Sequence, residues 1–545
     1  MRKFTKFVDT SFIFALPIFY LAAYLVLGVK RGAFYWTGNQ DPDYAYLGNS
    51  LKLAMFQAPS HTDHPGTPLQ VIGAVLISVW HFLWRGNAAE ADLAIDVLTN
   101  PEMYLYVIHT GLVILTAVSI LFLGLGTFKI CRNLPLSMVI QSSPFVMIGA
   151  HLVSEPSRVS PDVLVFLLSQ FLSLLLVKWL FQKEVGESKQ WHINLGIIFG
   201  LGMASKITFL PMIWFFLLIK GTKQKIIALL VAIAAFCLVT LPIISKYPRM
   251  IGWYSALATH TGPYKGGEQG LFSPIEIWKN IDILWSIAQP FIILLIITTI
   301  ISMTMLLWMR LGRERFKYIE QSFILRRASD LLFLVSIAGW TQVLLALTER
   351  ARSRYLAPSL GLAGFMIFAL SLCLIAIVAP GFARSNTRLN QRQITQRLGF
   401  IALCACGIMG TQQVSLASVS IGSSADTYQA DLVKVSALYQ SYGQCLKVSS
   451  KRASTIESSL LFMNEWSGGS FSQTLDRLYP QFVAYDKLAG EFQSYSQPIP
   501  AQKVYEQNCI LLTGERSIKK LKATTRSPKF KELYKGRTMV VYQLK

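Results

Sequence analysis

The sequence predicts a polytopic α-helical membrane protein with a small soluble α/β domain at its C-terminal end. Three observations predict this class. Of 545 residues, 53% are hydrophobic and only 15% are charged, with a mean hydropathy of +0.44, more apolar surface than a soluble fold of this size can hide. Apolar runs long enough to cross a hydrocarbon core of about 30 Å recur through residues 1–420. In residues 421–545 those runs stop, and Ser, Gln, Tyr and charged residues dominate.

The apolar runs lie near 9–29, 104–128, 135–153, 162–182, 193–219, 226–245, 284–309, 330–348, 355–380 and 398–418. The first follows a basic start, Met1-Arg2-Lys3-Phe4-Thr5-Lys6. It is long for a signal peptide and shows no small-x-small cleavage site, so it reads as a retained span. The run 193–219 is interrupted by Ser205-Lys206 and by Pro211, which suggests two short helices that enter and leave on one side. The run 67–84 is assigned to the membrane surface, because counting it as a span spoils the charge pattern. The sum is about eleven spans, with the N-terminus in the cytosol and the C-terminus outside.

Loop charges test that topology. Lys129–Arg132, Lys220–Lys225, Arg310–Arg327 and Arg384–Arg397 become cytosolic, and all are basic. The outer segments become 30–103, 154–161, 246–283, 349–354 and 421–545. Glu349–Arg354 breaks the rule with three arginines, which points to an anionic ligand or to a misplaced span. Short loops favour a bacterial inner membrane, with residues 421–545 as a periplasmic domain beside a transmembrane domain of residues 1–420.

The net charge of +22 resides largely in loops between apolar runs, so it orients spans and does not indicate nucleic acid. Cys131, Cys237, Cys373, Cys404 and Cys406 lie in or beside spans, and Cys404-x-Cys406 is too short for a zinc pair. Cys445 and Cys509 lie in the polar C-terminal region, where a disulfide can form outside the cytosol. Cys509-Ile510-Leu511-Leu512 and Met539-Val540-Val541-Tyr542 read as strands.

Candidate chemistry concentrates in the first outer loop. Asp41-Pro42-Asp43 precedes an amphipathic stretch, Tyr44 to Phe56, expected to lie flat on the membrane. Asp41 reads first as a cap or turn; Asp43 reads as a cap or a catalytic carboxylate. His61, Asp63 and His64 admit three readings: a divalent metal site, a substrate contact, or a solvated turn closed by Pro65. No cofactor is firmly implied, and a divalent metal stays open. Glu155, Arg158 and Asp162 border the same face, and Arg158 can equally pair with an acid.

Lys206 stands in a segment otherwise devoid of charge. An ammonium there costs roughly 2.5–3.5 kcal/mol to insert, so it must snorkel, pair, or meet an anion. The loop from His260 to Gly270 is glycine-rich but is no P-loop, because no Gly-Lys-Ser/Thr follows. Arg350, Arg352 and Arg354 precede Tyr355 at the start of a span, where they can hold a phosphate or form a solvated rim.

Taken in order, these pieces resemble the GT-C superfamily of membrane glycosyltransferases, most like its protein O-mannosyltransferase and lipid A aminoarabinose transferase branch. Asp43-Tyr44-Ala45-Tyr46 fits the acidic motif after span one, and His64-Pro65 fits the His-Pro motif. Gly200-Leu201-Gly202-Met203-Ala204-Ser205-Lys206 and Arg354-Tyr355-Leu356-Ala357-Pro358 fit two later motifs. The usual Asp-Glu pair is Asp43-Tyr44 here, and His-Pro-Pro-Leu is His64-Pro65-Gly66-Thr67.

The resemblance implies a GT-C fold. It also implies transfer, with inversion, of a sugar from a polyprenyl-phosphate donor to a hydroxyl of a lipid, glycan or protein at the outer face. Asp43 would be the general base. Lys206, Arg354 and Arg352 would hold the donor phosphate. Asp41, His61, Asp63, His64, Glu155, Arg158, His260 and Tyr355 would contact the sugar or the acceptor. The competing class is a transporter or flippase for lipid-linked glycans, and polymerases or ligases with lipid pyrophosphate donors need similar cations.

Overall fold

The computed structural model describes residues 11–36, 41–63, 65–85, 92–146, 158–260, 268–270, 273–310, 323–349, 351–378, 388–451, 453–486, 489–507, 509–513, 530–537 and 539–544. Its helices are α1 (Ala15–Arg31), α2 (Asp43–Ala54), α3 (Thr67–Arg85), α4 (Pro101–Cys131), α5 (Pro161–Phe181), α6 (Lys189–Ser205), α7 (Thr222–Thr240), α8 (Tyr247–Thr259), α9 (Pro274–Arg310), α10 (Phe323–Glu349), α11 (Ala363–Val378), α12 (Arg388–Ser441), α13 (Ile456–Trp466) and α14 (Ser472–Leu478), with shorter turns between them.

Among the described residues, seven helices are long and apolar enough to cross a membrane, or eight with the bent pair Ser353–Gly361 and Ala363–Leu374. The expected count of about eleven is not reached there. One difference is α3, expected to lie on the surface but counted among the seven. Its reason is visible in its faces. Leu69, Ala74 and Ile77 are buried, whereas Val71, Val75, Val79, Phe82 and Leu83 are exposed. An apolar side of that width suits lipid.

The interrupted run 193–219 is a hairpin, as expected. Helix α6 ends at Ser205, and a 3-10 segment, Ile207–Leu218, returns. Lys220 at its far end pairs with Glu187 just before α6, at 3.0 Å. The chain therefore enters and leaves on one side, with Lys206 at the tip. Gly196 and Gly200 let α6 approach α7 closely: a Cβ at either would lie 2.4 or 2.2 Å from the carbonyl oxygens of Ala228 and Ala232.

The C-terminal region holds one seven-stranded sheet of order β4-β3-β2-β1-β5-β7-β6. The strands are β1 (Leu446–Ser450), β2 (Phe482–Asp486), β3 (Glu491–Gln493), β4 (Pro498–Ile499), β5 (Ile510–Thr513), β6 (Phe530–Lys535) and β7 (Val540–Leu544). Central β1 runs parallel to β2 and β5, and the outer strands are antiparallel. Cys445 and Cys509 form a disulfide at the starts of β1 and β5. Both strand expectations hold in β5 and β7. Helix α12 runs unbroken through the expected domain border at residue 420. Asp431 on this helix accepts from the Tyr534 hydroxyl at 2.7 Å and the Met539 amide at 3.1 Å, which ties it to the sheet.

Helix α2 is where the two halves meet. Expected to lie flat on the membrane, it is instead buried at every residue from Asp43 to Lys52. Tyr44, Leu47 and Leu51 share a core with Leu105 and Ile108 of α4 and with Leu460, Phe462 and Met463 of α13. Polar side chains of α2 reach the same roof. Asn49 Nδ2 donates to the Trp466 carbonyl at 3.1 Å, and Lys52 Nζ donates to the Ser467 carbonyl at 3.1 Å. A Cβ on Gly48 would lie 2.3 Å from Ser467 Oγ, so this contact is close.

Candidate active site

The site is assembled around the turn that starts α5. Ser160 accepts from the Asp162 amide at 3.3 Å and Pro161 opens the helix, a capped start with a residue that needs no amide partner. This fixes five residues, 158–162, against two different partners.

On one side is Asp43, which is 0% exposed. Its Oδ2 accepts from Arg31 Nη2 at 3.2 Å, and from Arg158 Nε and Nη2 at 3.1 and 3.0 Å. Its Oδ1 accepts from the Val159 amide at 2.5 Å. Arg158 Nη2 also donates to the Asp41 carbonyl. The alternative that Arg158 pairs with an acid is therefore realised, and the acid is Asp43.

On the other side is Lys206, whose Nζ donates to Asp162 Oδ1 at 2.6 Å. The Ser160 hydroxyl donates to Asp162 Oδ2 at 2.7 Å. Of the three ways to accommodate Lys206, pairing is realised. Its ammonium also lies 5.3 Å from the Tyr355 ring centre, and the Arg354 guanidinium lies 5.8 Å from the same centre. Arg354 is buried and Arg352 half-buried.

Tyr46 lies one turn along α2 from Asp43. Burial pushes its phenol well above the usual range. The charges of Asp162, Asp41 and Asp63 push the same way, and Arg354 opposes them. Its hydroxyl is buried with no hydrogen-bond partner among the described residues. Gly66 faces it in a left-handed conformation (φ +64°), where a Cβ would lie 2.3 Å from Tyr46 Oη. His61 packs edge-on between Tyr46 and Trp466, with ring centres at 5.3 and 4.7 Å. Burial lowers the His61 pKa, while Asp63 and Asp41 oppose this.

Other predicted residues stand further out. Asp63 meets Arg249 at 3.7 Å, both partly exposed. His260 contacts Thr259 at 2.9 Å and bridges Gln269, and no contact described here brings it to the cluster. His64 and Glu155 lie outside the described residues. No group of three His, Cys, Asp or Glu that would suit a metal occurs among the described residues. His61, sandwiched between two rings, is placed for packing in this conformation.

Sequence reasoning missed Arg31, Tyr46 and Trp466, and it discussed Asp162 without selecting it. Arg31 ends α1 and looks like an ordinary interface anchor. Asp162 carried a usable signal, the Ser-Pro-Asp start of a span on the same face as Asp43.

No protein-family model matches this sequence, and no curated protein matches it. Solved structures do. ArnT from Cupriavidus metallidurans in the apo state aligns at 10% identity and a TM-score of 0.52, covering 96% of this chain and 97% of that one. The same protein bound to undecaprenyl phosphate aligns at 10% identity and 0.47, with the same coverage. The Archaeoglobus fulgidus oligosaccharyltransferase in the apo form aligns at 11% identity and 0.37, covering 74% of this chain and 56% of that one. Over nearly its whole length, the chain shares the fold of the apo ArnT structure.

Proposed function

We propose that this protein transfers a sugar from a polyprenyl-phosphate donor to an acceptor hydroxyl, with inversion, at the membrane face roofed by the soluble domain. That face is periplasmic, in a bacterial inner membrane. The acceptor oxygen attacks the anomeric carbon, the bond from that carbon to the phosphate oxygen breaks, and its electron pair leaves with the polyprenyl phosphate. Asp43 takes the acceptor proton. Arg354, Arg352 and Lys206 stabilise the charge that develops on the leaving phosphate. Asp63, Asp41 and Tyr355 border the sugar and acceptor.

The observation that carries this reading is the 158–162 turn. It holds Arg158 against Asp43 and Asp162 against Lys206, so the carboxylate of one motif and the cation of another are both anchored to this turn. Two guanidinium contacts orient Asp43, and Oδ1, with one backbone donor, has capacity for a second hydrogen bond. Asp43 is fully covered here, so the acceptor must displace part of that cover.

The test is to incubate the purified protein in lipid with a panel of polyprenyl-phosphate sugars and measure free polyprenyl phosphate. Release by the wild type and not by Asp43→Asn is expected. No release from any donor, with movement of intact lipid across the bilayer, would replace this reading with a transporter.

A further inference from the structure

The end of α5 remote from Asp162 holds a second site. From Asp162 to Lys178 is about 24 Å along a helix at 1.5 Å per residue, close to the thickness of a hydrocarbon core. There a cavity of about 1050 Å³ opens between the ends of α4, α5 and α6, at the base of the hairpin that carries Lys206. Phe122, Phe171 and Leu174 form part of its apolar wall. Lys129, Arg132 and Lys178 line it as well, and its described lining contains no carboxylate. Gln190 and Asn194 add amide groups. Glu187, the acid beside α6, is engaged by Lys220 at 3.0 Å.

The rim is fixed. Arg327 donates to the Gln182 and Lys183 carbonyls at 2.9 Å each, and Trp191 Nε1 donates to the Leu175 carbonyl at 3.1 Å. Three cations above apolar walls, with amide groups between, complement a phosphate on hydrocarbon chains. We propose that this cavity binds an anionic diacyl phospholipid of the leaflet opposite the Asp43 site. Cations that merely orient the spans need no cavity. Here the charges and the apolar walls line a single volume, so headgroup and chains can be held together. The inference does not depend on the transfer reading.

The test is native mass spectrometry of the delipidated full-length protein titrated with phosphatidylglycerol. Lys129→Gln/Arg132→Gln/Lys178→Gln should weaken the first binding step about tenfold or more. Lys223→Gln/Lys225→Gln/Arg310→Gln, which removes equal charge from basic residues that do not line the cavity, should bind as the wild type does. Lys129→Arg/Lys178→Arg keeps the charge and should retain binding, which guards against loss through misfolding. Equal loss in both triple variants would overturn the proposal. So would equal wild-type affinity for phosphatidylcholine, or displacement of phosphatidylglycerol by equimolar polyprenyl phosphate.

Discussion

Asp43 and Lys206 are both enclosed charges, one on each side of the 158–162 turn, but they are held differently. Asp43 accepts four hydrogen bonds from Arg31, Arg158 and Val159, which belong to two separate parts of the chain. Among the described residues, Lys206 meets the Asp162 carboxylate at 2.6 Å and the ring of Tyr355. The first arrangement over-determines the position of a carboxylate. The second is a buried ion pair, in which removing the lysine takes the cation away from Asp162. A group built for positioning and a group built for charge balance should therefore respond differently to substitution.

The largest effect on stability is expected at the pair. Lys206→Met leaves Asp162 uncompensated at 4% side-chain exposure, and breaking a buried pair costs about 3–5 kcal/mol. Thermal unfolding should show the loss, and adding Asp162→Asn should recover much of it. A Lys206→Met midpoint equal to wild type would remove the charge-balance argument. Asp43→Asn keeps the shape and an oxygen for the Val159 amide but loses the charge facing two guanidiniums. We expect about 1.5–3 kcal/mol of destabilisation, with turnover falling by at least about 10²-fold. Retained turnover would take the base role from Asp43 and turn attention to Asp41.

Gly66→Ala sharpens the comparison at Tyr46, one turn along α2 from Asp43. It introduces a Cβ against Tyr46 Oη at a left-handed position, at a cost of about 1–3 kcal/mol. Turnover should drop with it, because Tyr46 lies one turn from Asp43 and feels the charges of Asp162 and Arg354. Full activity at unchanged stability would show that the Tyr46 hydroxyl does not shape the site.

The smallest effect is expected from His61. Burial holds its folded pKa below the ordinary value. The unfolded chain takes up a proton near pH 6.5 that the folded chain refuses. The stability from this residue is therefore complete above that pH. It declines as pH falls toward the folded value, by at most about 1.4 kcal/mol per unit. Comparing unfolding midpoints at pH 7.5 and 5.5, wild type should lose more than His61→Phe. Parallel losses would place the pH response elsewhere.

Much of this site was legible because its parts break local rules. Lys206 interrupts an apolar run, Arg354 sits in a basic stretch against the orientation rule, and Asp43 lies beside a greasy core. The hairpin and the Cys445–Cys509 disulfide followed from the same kind of reading. What stayed hidden depends on distant chain. The polar side of α2 looks solvated until Trp466 and Ser467 cover it, more than 400 residues away. Arg31 looks like a membrane anchor until the Asp43 carboxylate meets it. The lipid-facing side of α3 could not be told from a surface helix without knowing that α2 and α4 pack on its other side.

The most direct test of the two-group account separates donor binding from turnover. Equilibrium binding of a polyprenyl-phosphate sugar, and its single-turnover release, would be measured for wild type, Asp43→Asn and Lys206→Met. The account predicts that Asp43→Asn binds donor nearly as wild type does but releases no polyprenyl phosphate, while Lys206→Met loses donor affinity. Equal loss of binding in both variants would contradict it, as the division between positioning the proton acceptor and holding the phosphate would not exist.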